Sequence, residues 1–193
     1  MGIPYCAPAA WRRARRRSGP PWVPWWLDRE QSGGPLNEQC THFIDLCRFL
    51  IGEVVEVWAA ARPHSAAKHL EGAVAMTLRF ANGALAAGLY SCEASEKQIA
   101  FEVFLPDGSV RLEGWDLRLK GDPPECGPAA REAIFVKEVA AFFQAIRSGD
   151  RSLIQSDFED AVQTQRVVDA IGRAVKTGRS EPVVAQAALQ NRP

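Results

Sequence analysis

What most constrains this chain is a change of hydrophobic period. Residues 35–51 repeat apolar side chains at steps of three and four, and the stretch that follows alternates strictly. Val55, Val57 and Ala59 alternate with Glu56 and Trp58. Val74, Met76, Leu78 and Phe80 alternate with Ala73, Ala75, Thr77 and Arg79. Asn82-Gly83 is a hairpin turn pair, after which Leu85, Ala87 and Leu89 alternate with Ala86, Gly88 and Tyr90. Phe101, Val103 and Leu105 lead into a second hairpin signal, Asp107-Gly108. Val110 and Leu112 continue from it, and Leu117 and Leu119 predict a short last strand. Strands joined by such tight turns are antiparallel, because parallel neighbours need long crossovers.

The helices frame this sheet. Gly33-Gly34 break the chain, and Pro35 suits a first helical turn. Leu36, Cys40, Phe43, Cys47 and Leu50 then form the stripe of a helix ending at Gly52. A second helix is predicted over 131–147, with Phe135, Val139, Phe142 and Ile146 on one stripe. Ser156-Asp157-Phe158-Glu159 reads as a capping box for a third, running to Thr177 with Ala161, Thr164, Val168, Ile171 and Val175 inward. The expected fold class is α+β: a large, mostly antiparallel open sheet with helices on one face and no Rossmann domain. Ala73, Ala75, Thr77, Ala86 and Gly88 are assigned to the other face. Few charges accompany them, so that face is expected to pair with a second copy.

Length and composition fit one domain: 193 residues, 47% hydrophobic and 24% charged. Three stretches are distinguished: an ill-defined basic, proline- and tryptophan-rich arm (1–26), the domain proper (27–186) and a tail (187–193). The formal charge is zero, which gives no electrostatic footprint for nucleic acid or an anionic membrane. No apolar run of about 18 residues occurs, so no membrane span is expected. Five cysteines without a CxxC pair indicate reduced thiols and a cytoplasmic setting, with Cys40 and Cys47 as core residues.

Candidate chemistry is narrow. No G-x-G-x-x-G occurs, so no dinucleotide site is expected on this chain, and no metal site is indicated. His64 and His69 fall in a polar loop. His42 falls in the first helix, with Glu38 four residues before and Asp45 three after, on one helical face. Carboxylates beside an imidazole suit a general acid or base. The same row also suits a plain solvated face, and spacing alone leaves both readings open.

The string Ser32-Gly33-Gly34-Pro35-Leu36-Asn37-Glu38-Gln39-Cys40-Thr41-His42-Phe43-Ile44-Asp45 resembles the hinge-helix motif of the Gfo/Idh/MocA oxidoreductases. Gly52-Glu53-Val54, Gly149-Asp150 and the segment from Asp157 to Arg179 resemble that family too. The likeness spans residues 25–184 and implies the family's C-terminal domain. It implies that His42 assists proton transfer and that Glu38 contacts substrate, with Thr41 and Asp45 as further substrate-binding or orienting residues. The substrate implied is a small sugar or polyol, and NAD or NADP is implied for the full-length family. Family members begin with a Rossmann domain whose Glu-Lys-Pro segment supplies a catalytic lysine. Here Glu96-Lys97 is followed by Gln98, and no such domain is present. The expectation is therefore a domain inactive in hydride transfer without a separate Rossmann-bearing chain. A non-catalytic sugar-binding or assembly module, or a truncated gene product, is the alternative.

Overall fold

The computed structural model describes residues 5–12, 25, 28–67, 69–94, 98–113, 118–120 and 131–184, with backbone alone at 5–12, 118–120 and 131–132. The loop 121–130, the tail 187–193, the arginine run 13–17 and Leu117 lie outside these residues. The strands are β1 (Tyr5–Arg12), β2 (Val54–Pro63), β3 (Glu71–Phe80), β4 (Leu85–Ser91), β5 (Ala100–Leu105), β6 (Gly108–Glu113), β7 (Arg118–Lys120) and β8 (Glu181–Pro182). The helices are α1 (Arg29–Ser32), α2 (Thr41–Ile51), α3 (Arg131–Ser148) and α4 (Phe158–Thr177). A π-helical turn, Leu36–Cys40, precedes α2, and a 3-10 turn, Arg151–Leu153, precedes α4.

One sheet of eight strands runs β7-β6-β5-β1-β4-β3-β2-β8. Every pairing is antiparallel except β1 with β4. The sequence reading leaves residues 1–26 as an arm without a strand, yet Tyr5–Arg12 lies in the middle of the sheet. Pro8 has no N–H to donate to a ladder. The register of β1 against β4 shifts between Cys6 and Ala9, the span that contains it. A bulge is where a sheet accepts proline.

The core lies between the sheet and α2 with α4. Val57, Ala59, Val74, Met76, Leu78 and Phe80 meet Phe43, Ile44, Cys47, Val167, Val168 and Ile171, all buried. Cys40 and Cys47 are buried free thiols, as expected. Two stripes end early: Leu50 on α2 and Ala161 on α4 are exposed. The cap of α4 is Asp157, which accepts the Asp160 N–H at 3.0 Å, one residue later than the capping-box reading.

The sheet faces are also corrected in β4. Ala86, Gly88 and Tyr90 face the helices, while Ala87 and Leu89 are exposed. Gly88 stands opposite the buried Met76, and opposed residues share a face. A β-carbon at Gly88 would lie 3.0 Å from Phe43 Cε1 and 3.1 Å from Met76 Cγ. The small residues of β4 make room for a helix, and the exposed face includes Trp58, Ala60, Ala75, Thr77, Ala87 and Leu89 together with Arg62 and Arg79.

Candidate functional site

The approach to α2 is set by two glycines in the left-handed region, Gly33 at φ 71° and Gly34 at φ 89°. A β-carbon at Gly33 would stand 2.6 Å from Asn37 Nδ2, the amide that donates to the Ser32 carbonyl at 3.2 Å. The chain reverses here and enters the π turn Leu36–Cys40 rather than a regular first helical turn. The helix predicted over 35–51 is thus two pieces. The wider turn moves Glu38 from the place a continuous α-helix would give it relative to His42. Such turns are frequent at functional sites.

Glu38 is half-buried and accepts a hydrogen bond from the Gln39 side-chain amide. Thr41, the first residue of α2, is half-buried. His42 is exposed and makes no hydrogen bond or ion pair among the described residues. Asp45 is turned away from the imidazole: its Oδ1 accepts from Thr164 Oγ1 of α4 at 2.8 Å. The Glu38–His42–Asp45 row is therefore not joined by hydrogen bonds. His64 lies in the β2–β3 loop, where Nδ1 accepts the N–H groups of Ala66 and Ala67, both at 3.1 Å.

Sequence reasoning missed the residue that ties this helix down. Arg48 is buried on α2, and its guanidinium donates to Glu53 at 2.7 and 3.0 Å, to Asp160 Oδ1 at 2.7 Å and to Thr164 Oγ1 at 2.7 Å. Hydrogen bonds to Glu53, set against desolvation and joined by those to Asp160, raise its pKa above the usual arginine range. In return, Arg48 and then Ser156 hold the Asp160 carboxyl below the usual carboxylate range. A paired, fully hydrogen-bonded charge is tolerated where an unpaired one is not.

Behind Glu38 the wall is polar and closed. Tyr90 is buried beside Cys92, and Glu71 Oε1 accepts from Arg29 at 2.6 Å while its buried Oε2 has no hydrogen-bond partner. Burial chiefly, with Cys92, Cys40 and Glu38 charges adding, pushes the Tyr90 hydroxyl far up its scale. Burial likewise pushes the Cys40 thiol up, which makes it a poor nucleophile. No group of His, Cys, Asp and Glu among the described residues is arranged to hold a metal.

The described residues thus form an open, mostly antiparallel α+β sheet with a glycine-led turn bearing Glu38 and a helix bearing His42 on one face. The chain belongs to the GFO/IDH/MocA C-terminal domain family, whose model matches residues 3–111. No curated protein matches it. Among solved structures, an oxidoreductase domain protein from Kribbella flavida is 18% identical at TM-score 0.79, covering 94% of this chain and 58% of its own. The WlbA dehydrogenase from Bordetella pertussis, in complex with NADH and UDP-GlcNAcA, is 18% identical at TM-score 0.77 (96% and 56%). Levoglucosan dehydrogenase, in complex with NADH and L-sorbose, is 20% identical at TM-score 0.77 (95% and 59%). At these identities the likeness shows the fold, and the chain spans under two thirds of each relative. No G-x-G-x-x-G string occurs in the sequence. No described helix is long and apolar enough to cross a membrane.

Proposed function

We propose that this chain is the substrate-binding and subunit-pairing domain of a sugar or polyol oxidoreductase in the cytoplasm, with NAD or NADP held by a separate Rossmann-bearing chain. One observation carries the reading: an exposed, unengaged His42 one helical turn from a half-buried carboxylate, Glu38, at a widened turn. An imidazole that no other described residue engages is available to a substrate hydroxyl, and it can take or return the proton there. Glu38 supplies a carboxylate that orients hydroxyl groups, and Thr41 adds a hydroxyl of its own. Asp45 acts through helix placement, since Thr164 occupies its oxygen. The exposed face of β2, β3 and β4 supports pairing with a second copy. The lack of any group orienting His42 equally supports a second reading, a binding or assembly module that has lost hydride transfer.

Amide and imidazole chemical shifts separate these from no site at all. Myo-inositol and L-sorbose, titrated to tens of millimolar, are expected to perturb Glu38, Thr41 and His42 together, and Glu38→Ala should abolish the effect. Shifts absent, or scattered over the surface, would remove the site. Where turnover is reconstituted with a nucleotide-binding chain, His42→Ala should lower it by about 10² or more. Binding without turnover would favour the second reading.

A further inference from the structure

Glu38 and His42 stand on two pieces of chain, each with anchors of its own. Glu38 lies in the π turn Leu36–Cys40, where its N–H donates to the Gly34 carbonyl at 3.0 Å and the Asn37 amide donates to the Ser32 carbonyl at 3.2 Å. His42 lies on α2, which begins at Thr41. A small slide or roll of α2 therefore changes the gap between imidazole and carboxylate while the hydrogen bonds at Ser32 and Gly34 stay as they are.

What seats α2 is thus part of the site. Phe43, Ile44 and Cys47 press it onto the sheet. Apolar burial is non-directional: it selects the face and sets no bond angle. Arg48 supplies the directional part. Its side chain is 4% exposed, and each of its five N–H groups has an acceptor. Nε and Nη2 grip Glu53, just past the end of α2, at 3.0 and 2.7 Å. The other three reach α4: Asp160 Oδ1 at 2.7 Å, the Asp160 carbonyl at 3.1 Å and Thr164 Oγ1 at 2.7 Å. Thr164 Oγ1 donates its own proton to Asp45 Oδ1 at 2.8 Å, about one helical turn beyond His42. Two points on α2, Asp45 and Arg48, are so tied to one residue of α4. One tie leaves a helix free to pivot; two fix its roll and its height together. Helix α4 is itself seated, with Val167, Val168 and Ile171 buried, and Ser156 holds the second oxygen of Asp160 at 2.8 Å.

We propose that Arg48 and Thr164 are positioning residues for the sugar site, their hydrogen bonds setting where α2 holds His42 relative to Glu38. They act through the helix and not on the ligand. The inference rests on the functional reading above for its ligand and on the Arg48–Thr164–Asp45 bonds for its geometry.

Two changes at Thr164 separate bonding from packing. Thr164→Val keeps the shape and loses the hydroxyl, and Thr164→Ser keeps the hydroxyl and loses the methyl. Residual dipolar couplings of the full chain report the tilt and roll of α2 against the β3 amides. They should change over α2 in Thr164→Val and stay at wild-type values in Thr164→Ser. Arg48→Lys should follow Thr164→Val, because an ammonium has no planar fork. Affinity for myo-inositol or L-sorbose, read from shifts at Glu38 and His42, should fall about ten-fold in Thr164→Val and recover in Thr164→Ser. Wild-type couplings in Thr164→Val overturn the proposal, and so does wild-type affinity beside changed couplings. The reverse order, with serine the damaging change, overturns it too, since packing and not the hydroxyl then seats α2. A wild type that binds neither sugar removes the site reading instead; the couplings then decide the placement of α2 by themselves.

Discussion

Helices α3 and α4 are similar in length, 18 and 20 residues, and both carry apolar residues at helical spacing. Their environments are opposite. α4 sets Val167, Val168, Ala170, Ile171 and Ala174 against β2 and α2, all buried. Among the described residues, α3 buries Ala145 and leaves Val136, Val139, Phe142, Phe143 and Ile146 exposed. Sequence pattern announces that a face will be covered, and it does not say by what. α4 is covered by its own sheet. The apolar side of α3 is less sharply divided from its polar side, and Val136, Phe142 and Ile146 stand exposed.

Substitutions can break this comparison. Ile171→Ala in α4 should cost about 2–5 kcal/mol, as for other buried isoleucines, and lower the urea midpoint accordingly. Phe142→Ala in α3 should change stability by no more than about 0.5 kcal/mol. Comparable losses in the two would mean that α3 packs on the body of the domain. Gly88→Ala comes next: the new methyl presses on Phe43 and Met76, and overpacking of this kind costs about 1–3 kcal/mol. A neutral result would show that α2 can shift from the sheet, weakening the contrast between a closely packed α2–α4 layer and a largely exposed α3.

The smallest expected effect is that of pH. Asp160 at the start of α4 has a lowered folded-state pKa, through Arg48 first and Ser156 second. Its stabilisation is present above the unfolded aspartate value of about 3.9 and is lost as pH falls through the folded value. The exposed side of this carboxylate shares its field with solvent, which keeps the contribution modest. The urea midpoints of wild type and Asp160→Asn should converge as the pH is lowered from 6 towards 3. A gap that stays constant over that range would detach the Arg48 network from the titration.

Much of this fold was legible because a sheet announces itself by period two and tight turns. The face of β4 was not. Alternation divides a strand into two sets, and Ala86, Gly88 and Tyr90 were no more obviously inward than Leu85, Ala87 and Leu89. The register against Met76 and the close approach of Phe43 decide it. β1 was missed because its proline hides a strand that a bulge makes possible. At the site, Glu38 and His42 stood out through a resemblance in sequence. The π turn between them did not, because no residue in Leu36–Cys40 demands an extra residue per turn. Arg48 was invisible for another reason: Asp160 and Thr164 lie 112 and 116 residues further along the chain.

The position of β1 also bears on how the sheet assembles. β7, β6 and β5 form one set of neighbours, β4, β3, β2 and β8 another, and β1 alone stands between them. Most neighbours within each set are joined by short local hairpins, which close quickly. β1 instead pairs Tyr5 with Leu85 and Cys6 with Val103, contacts that close very long loops. Such contacts form late, since the chain entropy is surrendered before any pairing compensates for it. The two half-sheets can therefore arise separately and await a seam from the beginning of the chain. A slip of β1 at its bulge would shift one half against the other while leaving each intact.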